Sequence, residues 1–67
     1  MEGYQERLKK EFEELSERVE KLHAFLGKSE NLDKLDEEKL RLLTLQYHYM
    51  VMYQHILRLR CNAEGIL

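Results

Sequence analysis

Between positions 39 and 63 this 67-residue chain carries no carboxylate. Threaded through that stretch are Lys39, Arg41, Arg58 and Arg60, the histidines His48 and His55, and the tyrosines Tyr47, Tyr49 and Tyr53. Guanidinium groups without acidic neighbours bind phosphate through paired, directional hydrogen bonds. A tyrosine near an arginine offers a flat surface on which a base stacks. Arg41, Tyr49, Tyr53, His55, Arg58 and Arg60 are therefore the candidate ligand-binding residues. The chemistry they suit is capture of an aromatic anion. The competing use of the arginines is in surface ion pairs with the first half of the chain, because twelve of the thirteen acids lie at or before Glu38.

Other chemistries are poorly served. His48 and His55 are seven residues apart, about 10 Å along a helix axis. Two ligands of one ion must each lie about 2 Å from it. Cys61 is the single cysteine, and no Cys/His cluster has zinc-ligand spacing. Neither a metal, another cofactor nor an internal disulfide is expected, and one unpaired thiol fits a reducing cytoplasm. Cys61 stands six residues from His55 on a different helix face, so the two make no nucleophile–base pair. There is no glycine-rich phosphate loop and no nucleophile elbow. The expectation is a protein that is not an enzyme.

Two long helices must position these residues. Proline is absent and Glu, Lys and Leu are abundant, which favours helix. Tyr4, Leu8, Phe12, Leu15, Val19, Leu22 and Leu26 recur every three or four residues and predict a first helix over about 4–26. Glu6/Lys10, Glu14/Arg18 and Glu17/Lys21 decorate its other side in the favourable i,i+4 order. Gly27 is placed to end it in a left-handed conformation. Residues 27–35 read as a connection, with Asn31 or Asp33 capping a short turn and Leu32 and Leu35 folding back on the core. Asp36 is the predicted cap of a second long helix over about 36–61. Glu37 and Glu38 complement its first turn and Arg58 and Arg60 its last. The tail, 62–67, is expected to fray.

The second long helix has two apolar seams. Leu42, Leu45, Tyr49, Met52, Ile56 and Leu59 are spaced 3, 4, 3, 4, 3. Leu43, Tyr47, Met50, Leu57 and Cys61 run beside them. Thr44, His48, His55, Arg58 and Asn62, with Val51 among them, leave only a narrow polar remainder. One hairpin partner covers one seam. The predicted fold is all-α: a single domain over 1–67, an antiparallel two-helix hairpin with Leu43, Met50 and Leu57 against the first helix. The other seam is the predicted oligomer interface, through which hairpins self-associate into a helical bundle, first of all a dimeric four-helix bundle. Size argues the same way. A core this small supplies about 3–5 kcal/mol at most, and oligomerisation is the support left when disulfide and metal are missing.

The formal charge of −2 gives the molecule no pull toward DNA. The uncharged run over 42–57 is shorter than the roughly 20 apolar residues that span a membrane, and the N-terminus lacks the regions of a signal peptide. The expected setting is cytoplasmic, with neither DNA nor membrane as partner.

The pattern Tyr4-Gln5-x-Arg7, Glu14-Leu15, Lys21-Leu22, Phe25-Leu26, continued by Leu42-Leu43-x-x-Gln46, Met50-x-x-Tyr53 and Leu57-x-x-Arg60, resembles a family of very small phage-encoded two-helix proteins. They occur in crAss-like and other tailed phages. The resemblance covers about residues 4–60 and departs at Tyr47-His48-Tyr49. That family has no assigned catalytic function, so the resemblance implies a phage accessory protein and carries over no active-site residue. In architecture the chain is similar to compact helical oligomers that sequester cyclic nucleotide immune signals, the anti-CBASS and anti-Thoeris sponges, an analogy of fold rather than of site. Two functions are expected. One is a homo-oligomeric sponge for a cyclic nucleotide, with Arg41, Arg58 and Arg60 neutralising phosphate and Tyr49 or Tyr53 stacking the base. The other is a module whose Tyr/Met face docks on a host or phage protein.

Overall fold

The computed structural model describes residues 3–67. It holds three helices: α1 (Tyr4–Leu26), α2 (Ser29–Leu32) and α3 (Glu37–Ala63). α1 and α3 pack against each other, and their contacts run in opposite senses along the chain. His23 meets Tyr47, Ser16 meets Gln54 and Tyr4 meets Arg60. The result is an antiparallel rod measuring 45 × 17 × 17 Å.

Local chemistry sets the ends of each element. Asp36 caps α3, its carboxylate accepting a hydrogen bond from the Lys39 backbone N–H at 2.8 Å. That pairs one of the four amides a helix start leaves without a partner. α1 ends at Gly27, but in a right-handed conformation (φ −79°), which corrects the expectation of a left-handed glycine there. The chain turns instead at Lys28, which is extended (φ −107°, ψ 117°). Asn31 caps no turn with its side chain. It lies inside α2 and donates from Nδ2 to the Phe25 carbonyl at 3.1 Å, a second donor on an oxygen at the end of α1 that also accepts from the Lys28 N–H at 3.3 Å. Leu32 and Leu35 are half-buried beside it.

The C-terminus differs from a frayed tail. α3 continues to Ala63, and Gly65 adopts a left-handed φ of 72°. The Gly65 N–H donates to the Asn62 carbonyl and the Ile66 N–H to the Cys61 carbonyl, both at 3.0 Å. This pair of bonds is the Schellman closure, and Ile66 packs back on the core as the residue after the left-handed glycine commonly does.

The core consists of Leu8, Leu15 and Val19 from α1 with Leu57 and Cys61 from α3, and Phe12, Tyr47, Met50, Val51 and Ile66 pack around it. Val51 belongs to this layer rather than to the polar remainder. α1 lies over the flank of α3 that also carries Tyr47 and Gln54, so Val51 is drawn inward. Gln54 donates from Nε2 to Ser16 Oγ at 3.0 Å, a partly buried bond between the two helices. Of the three charge pairs expected along α1, Glu17–Lys21 closes at 3.0 Å among the described residues.

Candidate functional site

α3 turns one apolar face to α1 and the opposite one to solvent. Leu42, Leu45, Ile56 and Leu59 are about half exposed, Tyr49 is 69% and Met52 66% exposed. These six side chains form a continuous stripe, because residues spaced alternately by three and four share a helix face. A contiguous apolar surface of this length is unusual on an isolated chain.

The six candidate ligand residues are not gathered within one chain. Tyr53 and Arg60 lie on the edge of α3 that faces the start of α1. The Tyr53 hydroxyl donates to a Glu11 carboxylate oxygen. Arg60 Nη2 donates to the Tyr4 hydroxyl at 2.8 Å, and the guanidinium sits 6.0 Å from the centre of the Tyr4 ring. That hydrogen bond, more than any nearby charge, holds the Arg60 pKa above its ordinary value. Tyr4, Arg7, Leu8, Glu11 and Arg60 enclose a depression of about 160 Å3. Arg58 crosses the other edge, 5.8 Å from the Phe12 ring centre. With Val51, Gln54 and His55 it lines a second depression of about 180 Å3. Arg41 is held by Glu38 at 2.6 and 3.3 Å. It stands about 28 Å along the helix axis from Arg60, at 1.5 Å per residue. Tyr49 stands apart on the exposed stripe. The arginines thus find different partners: Glu38, the Phe12 ring and the Tyr4 hydroxyl.

The structure builds a further concavity that the sequence reading did not select. Between the end of α1 and the start of α3 an open groove of about 510 Å3 is lined by Leu22, Phe25, Leu43 and Met50, with Arg18, Lys21 and Gln46. Its floor is apolar and its rim carries two cations and an amide. Lys21 shares its charge with Glu17 on the solvent side. Such a groove suits a ligand with a flat apolar body and a negative charge. In the sequence Arg18 and Lys21 read as members of charge pairs on a solvated face. The available signal was spacing: Lys21 follows Arg18 by three residues and Phe25 follows Lys21 by four, which places all three along one edge of α1.

No helix among the described residues is long and apolar enough to cross a membrane. No curated protein and no solved structure matches the chain. A family model does: Sequestin, over residues 2–63. The name denotes sequestering, which is a binding activity rather than a catalytic one. With a match over nearly its whole length, the chain belongs to the Sequestin family.

Proposed function

We propose that this protein is a non-enzymatic sponge that sequesters a nucleotide immune signal, that it acts as a homo-oligomer, and that it serves a phage as a counter-defence factor in the cytoplasm of the infected bacterial cell. The observation that carries this reading is the groove between α1 and α3: an apolar floor for a base, with Arg18 and Lys21 at the rim for phosphate. The family name supports a sequestering role. Sequestration needs affinity and no chemical step, which suits a site with cations and flat surfaces but no acid–base pair. Arg41, Tyr49, Tyr53, His55, Arg58 and Arg60 contribute where a neighbouring subunit brings their separate clusters to a groove.

A thermal-shift screen against cyclic dinucleotides, cyclic trinucleotides and cyclic ADP-ribose isomers tests it. At 100 times its dissociation constant a bound ligand adds about 2.7 kcal/mol, roughly 10–20 °C in Tm for a domain of this size. Absence of a shift with every one of them rejects the sponge. The second reading then stands: a protein-interaction module that inhibits or scaffolds a host or phage protein. It is favoured by one observation, the exposure of Tyr49 and Met52 side by side on α3, since tyrosine and methionine are enriched where proteins dock.

A further inference from the structure

The apolar stripe on α3 does not end where its apolar residues end. Four positions before Leu42 lies Glu38, and four after Leu59 lies Ala63. One line along the helix therefore reads an acid, six apolar side chains and a methyl group. Glu38 is exposed beside Arg41, and Arg60 stands one turn from Ala63 on the neighbouring edge. We infer that a second copy of this chain covers the stripe in the antiparallel sense, its two-fold axis passing between Met50 and Val51. Leu42 then lies opposite the partner's Leu59, Leu45 opposite the partner's Ile56, and Tyr49 opposite the partner's Met52. Glu38 lies over the partner's Ala63, within reach of the partner's Arg60. This deepens the homo-oligomer reading above and rests on it.

Three arguments single out this occupant and this direction. The first is area. A compact monomer of 8.2 kDa exposes about 4,500 Å2, whereas this chain exposes 5309 Å2. The excess, about 800 Å2, belongs to the elongated 45 × 17 × 17 Å shape and is comparable in size to what one partner contributes to an interface of standard size. The second is charge. A parallel pair sets each Glu38–Arg41 ion pair against its own copy and Arg60 against Arg60, so that the arginines at the far end meet as like charges. The antiparallel pair sets each Glu38 beside an Arg60, and it opposes the two helix dipoles. The third is fit. The small Ala63 leaves room for the Glu38 stem, which a leucine at that position would fill.

Cross-linking decides the direction. Leu42→Cys and Leu59→Cys are made as separate variants and oxidised alone and as an equimolar mixture, with the unaltered chain as control. Cys61 is fully buried and contributes no cross-link. The antiparallel pair yields a covalent dimer at least tenfold more abundant in the mixture than in either variant alone, with peptide mass spectrometry joining position 42 to position 59. Self-cross-linking of each variant, unchanged on mixing, overturns the antiparallel direction and leaves self-association intact. A monomeric mass for the unaltered chain by light scattering overturns self-association itself. A dimer with no cross-link at either position overturns the stripe as its interface. Charge exchange covers the case in which a cysteine variant dissociates. Glu38→Lys should weaken the dimer several-fold, and adding Arg60→Glu should restore it. A dissociation constant indifferent to Glu38→Lys overturns the pairing of Glu38 with Arg60.

Discussion

Ile56 and Leu57 are chain neighbours with opposite surroundings. Leu57 is fully buried in one core with Leu8, Leu15, Val19 and Cys61, while Ile56 is 52% exposed. Leu57→Ala opens a cavity in the hairpin core and costs about 2–5 kcal/mol. That rivals everything a core of this size supplies, about 3–5 kcal/mol, so circular dichroism should find this variant largely unfolded when dilute. Ile56→Ala should leave a folded chain. A fully buried isoleucine is worth about 1.5–3 kcal/mol, and roughly half of that is already realised in the hairpin. About 1 kcal/mol therefore remains to be gained when another subunit covers the residue. A symmetric dimer gains it twice, about 2 kcal/mol, so the substitution should weaken dimerisation roughly 30-fold. Light scattering or sedimentation over a dilution series reads that factor directly. A dimer constant untouched by Ile56→Ala, or a dilute Leu57→Ala chain with full helicity, would refute the assignment of the two faces.

The two helix-ending glycines should respond in opposite directions. Gly65 has φ 72°, so Gly65→Ala should cost about 1–2 kcal/mol and lower Tm by several degrees. At Gly27 an added methyl meets only the His23 and Ala24 carbonyl oxygens, at 3.4 and 3.6 Å. Gly27→Ala should therefore be neutral or raise stability by about 0.4–1 kcal/mol in a thermal melt. Asp36→Ala removes the cap of α3 and should cost about 1 kcal/mol, seen in urea unfolding as a lower midpoint at unchanged slope. Replacing Arg18 and Lys21 together by Glu should abolish binding of an anionic ligand, measured by titration calorimetry, while helicity and oligomeric mass stay unchanged. Undiminished affinity in that variant would place the site elsewhere.

The helical class was legible from the absence of proline and from the three-four spacing of leucines, because period and propensity agreed over long stretches. Periodicity also separated the two faces of α3, since Leu57 and Cys61 lie buried while Ile56 and Leu59 do not. What escaped lies in geometry that no single helix carries. Val51 read as an outlier on a polar flank, and only the lie of α1 across α3 draws it inward. Gly27 and Gly65 look alike in sequence, yet backbone hydrogen bonds beyond each helix end decide that Gly65 alone takes a left-handed φ. The groove is the clearest case. Arg18, Lys21 and Phe25 sit on one helix and Leu43, Gln46 and Met50 on the other, and the spacing that aligns the first three on one edge says nothing of the second helix across from them.

The partly buried bond from Gln54 to Ser16 has a consequence beyond holding two helices together. α3 is greasy on opposite sides, so hydrophobic burial alone does not tell the folding chain which side belongs to α1. A wrong-way fold, with Leu45, Met52 and Leu59 against α1, would bury comparable oil. It would also strand Ser16 against hydrocarbon and leave Glu11 and Tyr4 without the Tyr53 and Arg60 groups they now meet. An unpaired buried hydroxyl costs about 1–3 kcal/mol, a large fraction of what a chain this small has in hand. These few polar atoms therefore break a near-tie between two mirror choices, and Gln54→Leu should yield a chain that is oilier inside yet less decided about its own shape.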